Sequence, residues 1–196
     1  MHSLPRGCRW TKWKRSMTNK MLIMAHYKNQ RPISWPWPNF SPAELASNGN
    51  GAVQIQIQAL DRLQALRTEW NRSLTINSAY RDPVYNLKIG STNGSQHPKG
   101  TAFDVSVRGW TFENIYLFKE MAYKHGFRGF GGYEQKNGER NFIHIDNRGS
   151  RAKWGKDWAW PNAYLWVEPA PRLPAPPESR WKLLFCTIAD IFKKRS

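Results

Sequence analysis

The runs FRGFGGY and NFIHIDN flank KNGE, and Asn137-Gly138 at its centre suits the left-handed backbone of a tight reversal. Two apolar runs joined this way commit the chain to a β-hairpin and so to an antiparallel sheet. The pattern upstream is helical. In SPAEL, Ser41 caps, Pro42 suits the first turn and Glu44 completes a capping box. After the SNGNG turn, Val53, Ile57, Leu60, Leu63, Leu66 and Trp70 recur at helical spacing, predicting an amphipathic helix to about Asn71. LTINSAY follows as a strand, and Asp82-Pro83 opens a short helix that ends near Gly90. TAFDVSV alternates as a strand, and Thr111 starts a helix that ends at Gly126. The expected fold class is α+β, with a central antiparallel sheet and flanking helices.

The ends of the chain have a different composition. The sequence carries 30 Lys and Arg against 14 Asp and Glu, a formal net charge of +16, which favours polyanionic surroundings. No acidic residue precedes Glu44, so residues 1–38 are expected to form a basic, Trp- and Pro-rich arm with little secondary structure; Met17, Met21 and Met24 are alternative starts. One folded domain is expected over 39–168, then a proline-rich linker over 169–178. In 179–196, Trp181, Leu184, Phe185, Ile188 and Phe192 share one helical face among lysines, predicting a cationic amphipathic helix. That helix has two candidate roles, contact with an anionic membrane or lipopolysaccharide, and docking on the folded domain. No apolar run reaches membrane-span length, and MLIMA is shorter than a signal-peptide core, so no signal-directed export is expected. Cys8 and Cys186 lie near opposite ends and form neither a paired metal motif nor a disulfide framework.

Chemistry concentrates in SQHPKGTAFDV, where His97 and Asp104 stand on either side of a glycine turn. Imidazole nitrogen and carboxylate oxygen are zinc donors, and a catalytic site uses three of them. His144, on the second strand of the hairpin, supplies a third, and alternation places Asp146 on its face. Taken singly, His97 reads better as a surface or hydrogen-bonded histidine and Asp104 as a turn residue or cap.

The joint pattern resembles the signature of the zinc D-Ala-D-Ala peptidases, Ser-x-His-x-x-Gly-x-Ala-x-Asp, which Ser95, His97, Gly100, Ala102 and Asp104 match position by position. FSPAELA, LDRLQALR, INSAYRDPVYN and RAKW extend the likeness over roughly 39–155. The resemblance implies a hedgehog-like zinc fold and a peptidase of peptidoglycan stem peptides, acting as a carboxypeptidase or an endopeptidase. It makes His97, Asp104 and His144 the ligands of one zinc ion. Arg81 becomes a catalytic oxyanion or carboxylate partner, and Ser78, Tyr80, Ser95 and Trp154 become substrate contacts. Relatives often carry an acid three positions before the last histidine ligand; here that position is Asn141, which takes no proton. Asp146 is the first candidate for a general base and equally a partner that orients His144, with Glu134 and Glu139 as fallbacks.

A wall hydrolase with a basic surface and a cationic tail looks like a bacteriophage or prophage endolysin, made in the host cytoplasm and acting at the cell wall. The competing reading is a non-catalytic zinc module that binds the wall or another polyanion. Trp10 and Trp13 among the basic residues suit a single strand of nucleic acid, but no nucleic-acid motif accompanies them, so no specific nucleic-acid partner is expected. Nothing in the pattern fixes an oligomeric state.

Overall fold

Strand β1, Met21–Met24, lies inside the stretch expected to be an arm. A computed structural model describes residues 20–28 and 35–164. Along these run α1 (Pro42–Leu45), β2 (Val53–Gln56), α2 (Ile57–Trp70), β3 (Ile76–Ser78), α3 (Pro83–Lys88), β4 (Ala102–Ser106), α4 (Phe112–Lys124), β5 (Gly129–Glu134), β6 (Arg140–Asp146) and β7 (Ala152–Gly155). β1 pairs antiparallel with β2, and Met24 and Trp37 are buried in the core. The later part of the basic arm therefore belongs to the folded body. Most of the arm, both cysteines, the proline-rich linker and the 179–196 segment lie outside the described residues.

The second difference lies at VQIQ. Val53 continues the helical spacing of Ile57 and Leu60, but the β-branched Val53 and Ile55 also alternate as a strand with period two. Pairing with β1 decides between these, and the helix starts four residues later, at Ile57. It ends where Asn71 takes φ 52°, a left-handed cap that asparagine tolerates. The other capping signals hold. Ser41 and Glu44 form the capping box of α1, Asp82 accepts from Tyr85 N–H at the start of α3, and Thr111 accepts from Asn114 N–H at the start of α4.

Five strands form the main sheet in the order β3-β4-β6-β5-β7. Every pairing is antiparallel except that of β7, which lies parallel to β5. One sheet face carries Phe103, Val105, Phe130, Ile143 and Ile145, all fully buried in one core with Leu60, Leu63 and Leu66 of α2 and Phe118 and Ala122 of α4. Alternation sends Asp104 and His144 to the opposite face. The α+β architecture thus separates a helix-covered core side from a polar side.

Asp82 links α3 to the loop after α1. Its carboxylate accepts from Tyr85 N–H (3.0 Å) and from the Ser47 hydroxyl (2.7 Å). Those two bonds hold its carboxyl below the usual value. Asp82→Ala is expected to cost about 1–2 kcal/mol near neutral pH in urea unfolding. A depressed acid contributes fully above the unfolded carboxyl value, about pH 4, and loses its contribution as pH falls through the folded value. Wild type and variant should therefore converge in strongly acidic solution; a gap that persists there would assign the loss to packing instead.

Candidate metal centre

The register of β4 and β6 sets Asp104 directly opposite His144. His97 arrives from the turn ahead of β4, which closes through Gly100 N–H to the His97 carbonyl (3.0 Å) and Thr101 N–H to the Gln96 carbonyl (3.2 Å). Gly100 stands at φ 65°, and a Cβ there would lie 2.1 Å from the Gln54 carbonyl oxygen. Conformation and space both demand glycine. The turn is pinned against β2 by Gln56 N–H donating to the Gly100 carbonyl at 2.9 Å.

His97, Asp104 and His144 are all buried, and one donor atom from each falls within 4.8 Å of the others. His97 Nε2 is 3.1 Å from His144 Nδ1 and 3.2 Å from Asp104 Oδ1, and His144 Nδ1 is 2.9 Å from the same oxygen. Tetrahedral donors held about 2.0–2.1 Å from a zinc ion stand about 3.3 Å apart, so this triangle has the dimensions of a metal-ligand face.

Each outer ring nitrogen has an acceptor that favours a proton there. His97 Nδ1 lies 2.6 Å from the Ala79 carbonyl, which only accepts, so Nδ1 carries the proton and Nε2 presents its lone pair inward. His144 Nε2 faces Asp146 Oδ2 at 3.1 Å; with the ring proton on that nitrogen, Nδ1 turns its lone pair inward. Two lone pairs and a carboxylate oxygen therefore point at one another, an arrangement that a shared cation stabilises. The residues present fit a zinc ion.

Titration behaviour reflects the same need for positive charge. Burial disfavours the charged His97 ring and lowers its value against the pull of Asp104. Burial acts in the same direction on His144, but hydrogen bonds to Asp104 and Asp146 together outweigh it, and its value is raised. For Asp104, burial opposes ionisation, yet the two histidines hold the carboxyl well below the usual range.

Asp146 sits behind His144. It is fully buried, and its oxygens accept from Arg148 Nε (2.7 Å) and Arg148 Nη2 (2.6 Å) as well as from His144. Burial would raise its carboxyl, but His144 and Arg148 outweigh that and hold it at about 2. Of the two roles open to Asp146, the geometry favours the orienting partner, because an oxygen already shared between a guanidinium and an imidazole is poorly placed to take a proton from water.

The space for this arrangement comes from the glycines of FRGFGGY. A Cβ on Gly129 would lie 2.1 Å from Asp146 Oδ2, and one on Gly131 would lie 2.3 Å from Trp154 Nε1. Alternate glycines on β5 thus clear room for the carboxylate and the indole.

A cleft of about 720 Å³ opens over the cluster. Arg81, Ser95 and Trp154 line it, as expected, and so do Tyr133, Phe142 and Arg148, which sequence reasoning did not single out. Phe142 was within reach of the alternation argument, two residues before His144, whereas no spacing rule marks Arg148. Arg81 Nη2 bonds Asp104 Oδ2, and Arg81 Nε donates to Ser78 Oγ at 2.8 Å, so Ser78 positions Arg81 from outside the cleft lining. Tyr80 is not brought to the cleft: it is buried in the core, with its hydroxyl 3.4 Å from Gln54 Oε1. Glu134 and Glu139 line a different groove, and Asn141 Oδ1 accepts from Arg108 Nε. Among the described residues, Asp104 supplies the cleft's only lining carboxylate.

Comparison with protein families matches residues 38–146 to Peptidase M15. Comparison with curated proteins finds no match.

Gly129→Ala drives a methyl into the Asp146 carboxylate and should disturb the tautomer of His144. Zinc affinity, read by competition with a chromophoric chelator, is expected to fall about tenfold or more while far-ultraviolet circular dichroism stays native. Unchanged affinity would show that Asp146 does not support the cluster.

Proposed function

The chain belongs to the peptidase M15 family of zinc metallopeptidases, and from that premise we propose that it hydrolyses peptide bonds in the stem peptides of bacterial peptidoglycan. The observation that carries this reading is the triangle of His97 Nε2, His144 Nδ1 and Asp104 Oδ1 beneath an open, peptide-sized cleft. One zinc ion is assigned to that triangle. When bound, zinc polarises a carbonyl and lowers the pKa of water to about 7.

The chain's own groups do the positioning. Ala79 and Asp146 hold the outer protons of the two histidines, and Arg148 holds Asp146. Arg81 bonds the Asp104 oxygen that lies away from the histidines and keeps a fixed positive charge at the cleft wall. A guanidinium placed there stabilises negative charge developing on a peptide carbonyl, or grips a peptide carboxylate. Trp154 Nε1–H donates to Tyr133 Oη at 2.8 Å, which leaves the Tyr133 proton free for a substrate acceptor. Tyr133 stacks on Phe142 at 4.4 Å, forming an aromatic wall for the peptide beside Trp154.

The lack of a further carboxylate in the cleft lining bears on how water would lose its proton. Among the described residues no side chain lining the cleft stands in for an acid at Asn141, so the chain's own groups offer no separate proton acceptor there. The same observation supports the second reading, a zinc module that binds wall peptide without cutting it.

The setting proposed is that of a phage or prophage endolysin, made in the cytoplasm and acting at the wall. Its support is the net charge of +16 and the cationic, amphipathic pattern of 179–196, suited to anionic lipid or lipopolysaccharide. Removing the residues after Pro177 should lower binding to anionic liposomes and spare activity on isolated peptidoglycan; undiminished liposome binding would refute the membrane role.

Mass spectrometry of muropeptides tests the catalytic reading. Zinc-loaded wild type should release peptide fragments whose masses name the bond cut, whether terminal or internal, and His144→Ala should release none. Asp146→Asn should bind zinc about 10–100-fold more weakly and recover turnover at saturating zinc. Loss of turnover with unchanged zinc affinity would return Asp146 to the role of base, and a silent but zinc-loaded wild type would establish the binding module.

A further inference from the structure

A second concavity, about 550 Å³, lies between the tip of the β5–β6 hairpin and the start of α4. It exists because of a β-bulge. Tyr133 pairs with Phe142, but the next residue of β5, Glu134, pairs with Arg140, so Asn141 is the extra residue on β6. In a regular strand Arg140 and Phe142 would share a face; the bulge re-aims Arg140, so that Phe142 lines the catalytic cleft and Arg140 lines this groove. The arginine is fixed there. Its Nη2 donates to the Trp110 carbonyl (3.1 Å), and its guanidinium carbon lies 3.9 Å from the centre of the Phe112 ring.

The lining has a definite chemistry. Phe112 is 70% exposed, large for a phenylalanine, and Trp110 and Trp158 lie beside it in the lining. Trp158 is held by Nε1–H donating to Glu134 Oε1 at 3.0 Å. Within the lining, Arg108 and Arg140 stand against Glu134 and Glu139, so the lining itself has no net charge on a protein of net charge +16, and Glu134 also pairs with Lys156 beside it at 2.8 Å. A polyanion gains little at such a place, and a cation gains as little. Aromatic surface beside planar, fixed donors and acceptors instead suits a neutral ring with one apolar face and a polar edge.

We infer that this groove is a saccharide subsite, which takes an N-acetylated hexosamine unit of the wall glycan with its C–H face on Phe112 and its polar edge on Arg140 and Glu139. This rests on the reading of peptidoglycan as the substrate. The two sites share one hairpin, whose bulge divides neighbouring side chains between them. The groove would hold the glycan while the cleft works on its peptide.

The probe is an N-acetylglucosamine tetramer, which carries neither peptide nor charge, titrated calorimetrically into the full-length protein. Wild type should bind it saturably. Phe112→Ala should weaken binding about tenfold or more while cleaving a soluble stem peptide at the wild-type rate; the exposed position and a good helix former leave the fold intact. Arg140→Gln should weaken binding likewise, and Tyr133→Phe, across the hairpin, should leave it unchanged. No saturable binding, binding indifferent to Phe112→Ala, or binding lost in Tyr133→Phe would each overturn the subsite. Phe112-dependent sugar binding in a protein that cleaves no stem peptide would sink the peptidase reading and leave the groove standing. Cleavage without sugar binding would sink the groove alone.

Discussion

Two imidazole nitrogens with inward lone pairs and one ionised carboxylate meet inside the protein, and the rest of the site is organised around making that meeting tolerable. Left without a cation, buried groups of like polarity cost several kcal/mol. The fold supplies partial answers from outside: the Ala79 carbonyl and Asp146 take the outer protons, and Arg81 and Arg148 neutralise the two aspartates. What these partners cannot supply is positive charge at the centre. A shared cation would complete the cluster, and its donor set and spacing suit zinc.

The sheet makes this geometry stiff. Asp104 and His144 are cross-strand neighbours, so their separation is set by strand pairing rather than by a loop. Their strands are anchored on the other face by Phe103, Val105, Ile143 and Ile145, which the helices cover. Gly129 and Gly131 complete the arrangement by leaving space where side chains would otherwise collide with Asp146 and Trp154. The bulge at Asn141 then divides the end of the hairpin between two concavities, one over the metal triangle and one beside α4.

Much of this was legible before any coordinates. Capping residues marked α1, α3 and α4, Asn137-Gly138 marked the hairpin, and the pattern from Ser95 to Asp104 with His144 named the residues that converge. What stayed hidden depends on pairing between distant segments. Val53 continues a helical series while VQIQ alternates as a strand, and pairing with β1, drawn from a stretch that reads as a basic arm, decides for the strand. The family resemblance implied Tyr80 as a substrate contact, but its ring fills the core while Arg81 lines the cleft. Arg148 and Tyr133 carry no spacing signal, since their roles arise from contacts with Asp146 and Trp154. The glycines of β5 stood within a run read as a strand, and their function as cleared space required knowing what lies across from them.

X-ray absorption spectroscopy at the zinc edge of the reconstituted protein bears most directly on the shared-cation account. One equivalent of zinc should show only nitrogen and oxygen neighbours at about 2.0–2.1 Å, with the outer-shell scattering of two imidazoles, reduced to one in His97→Ala. A sulfur neighbour from Cys8 or Cys186, or a spectrum without imidazole scattering, would contradict it.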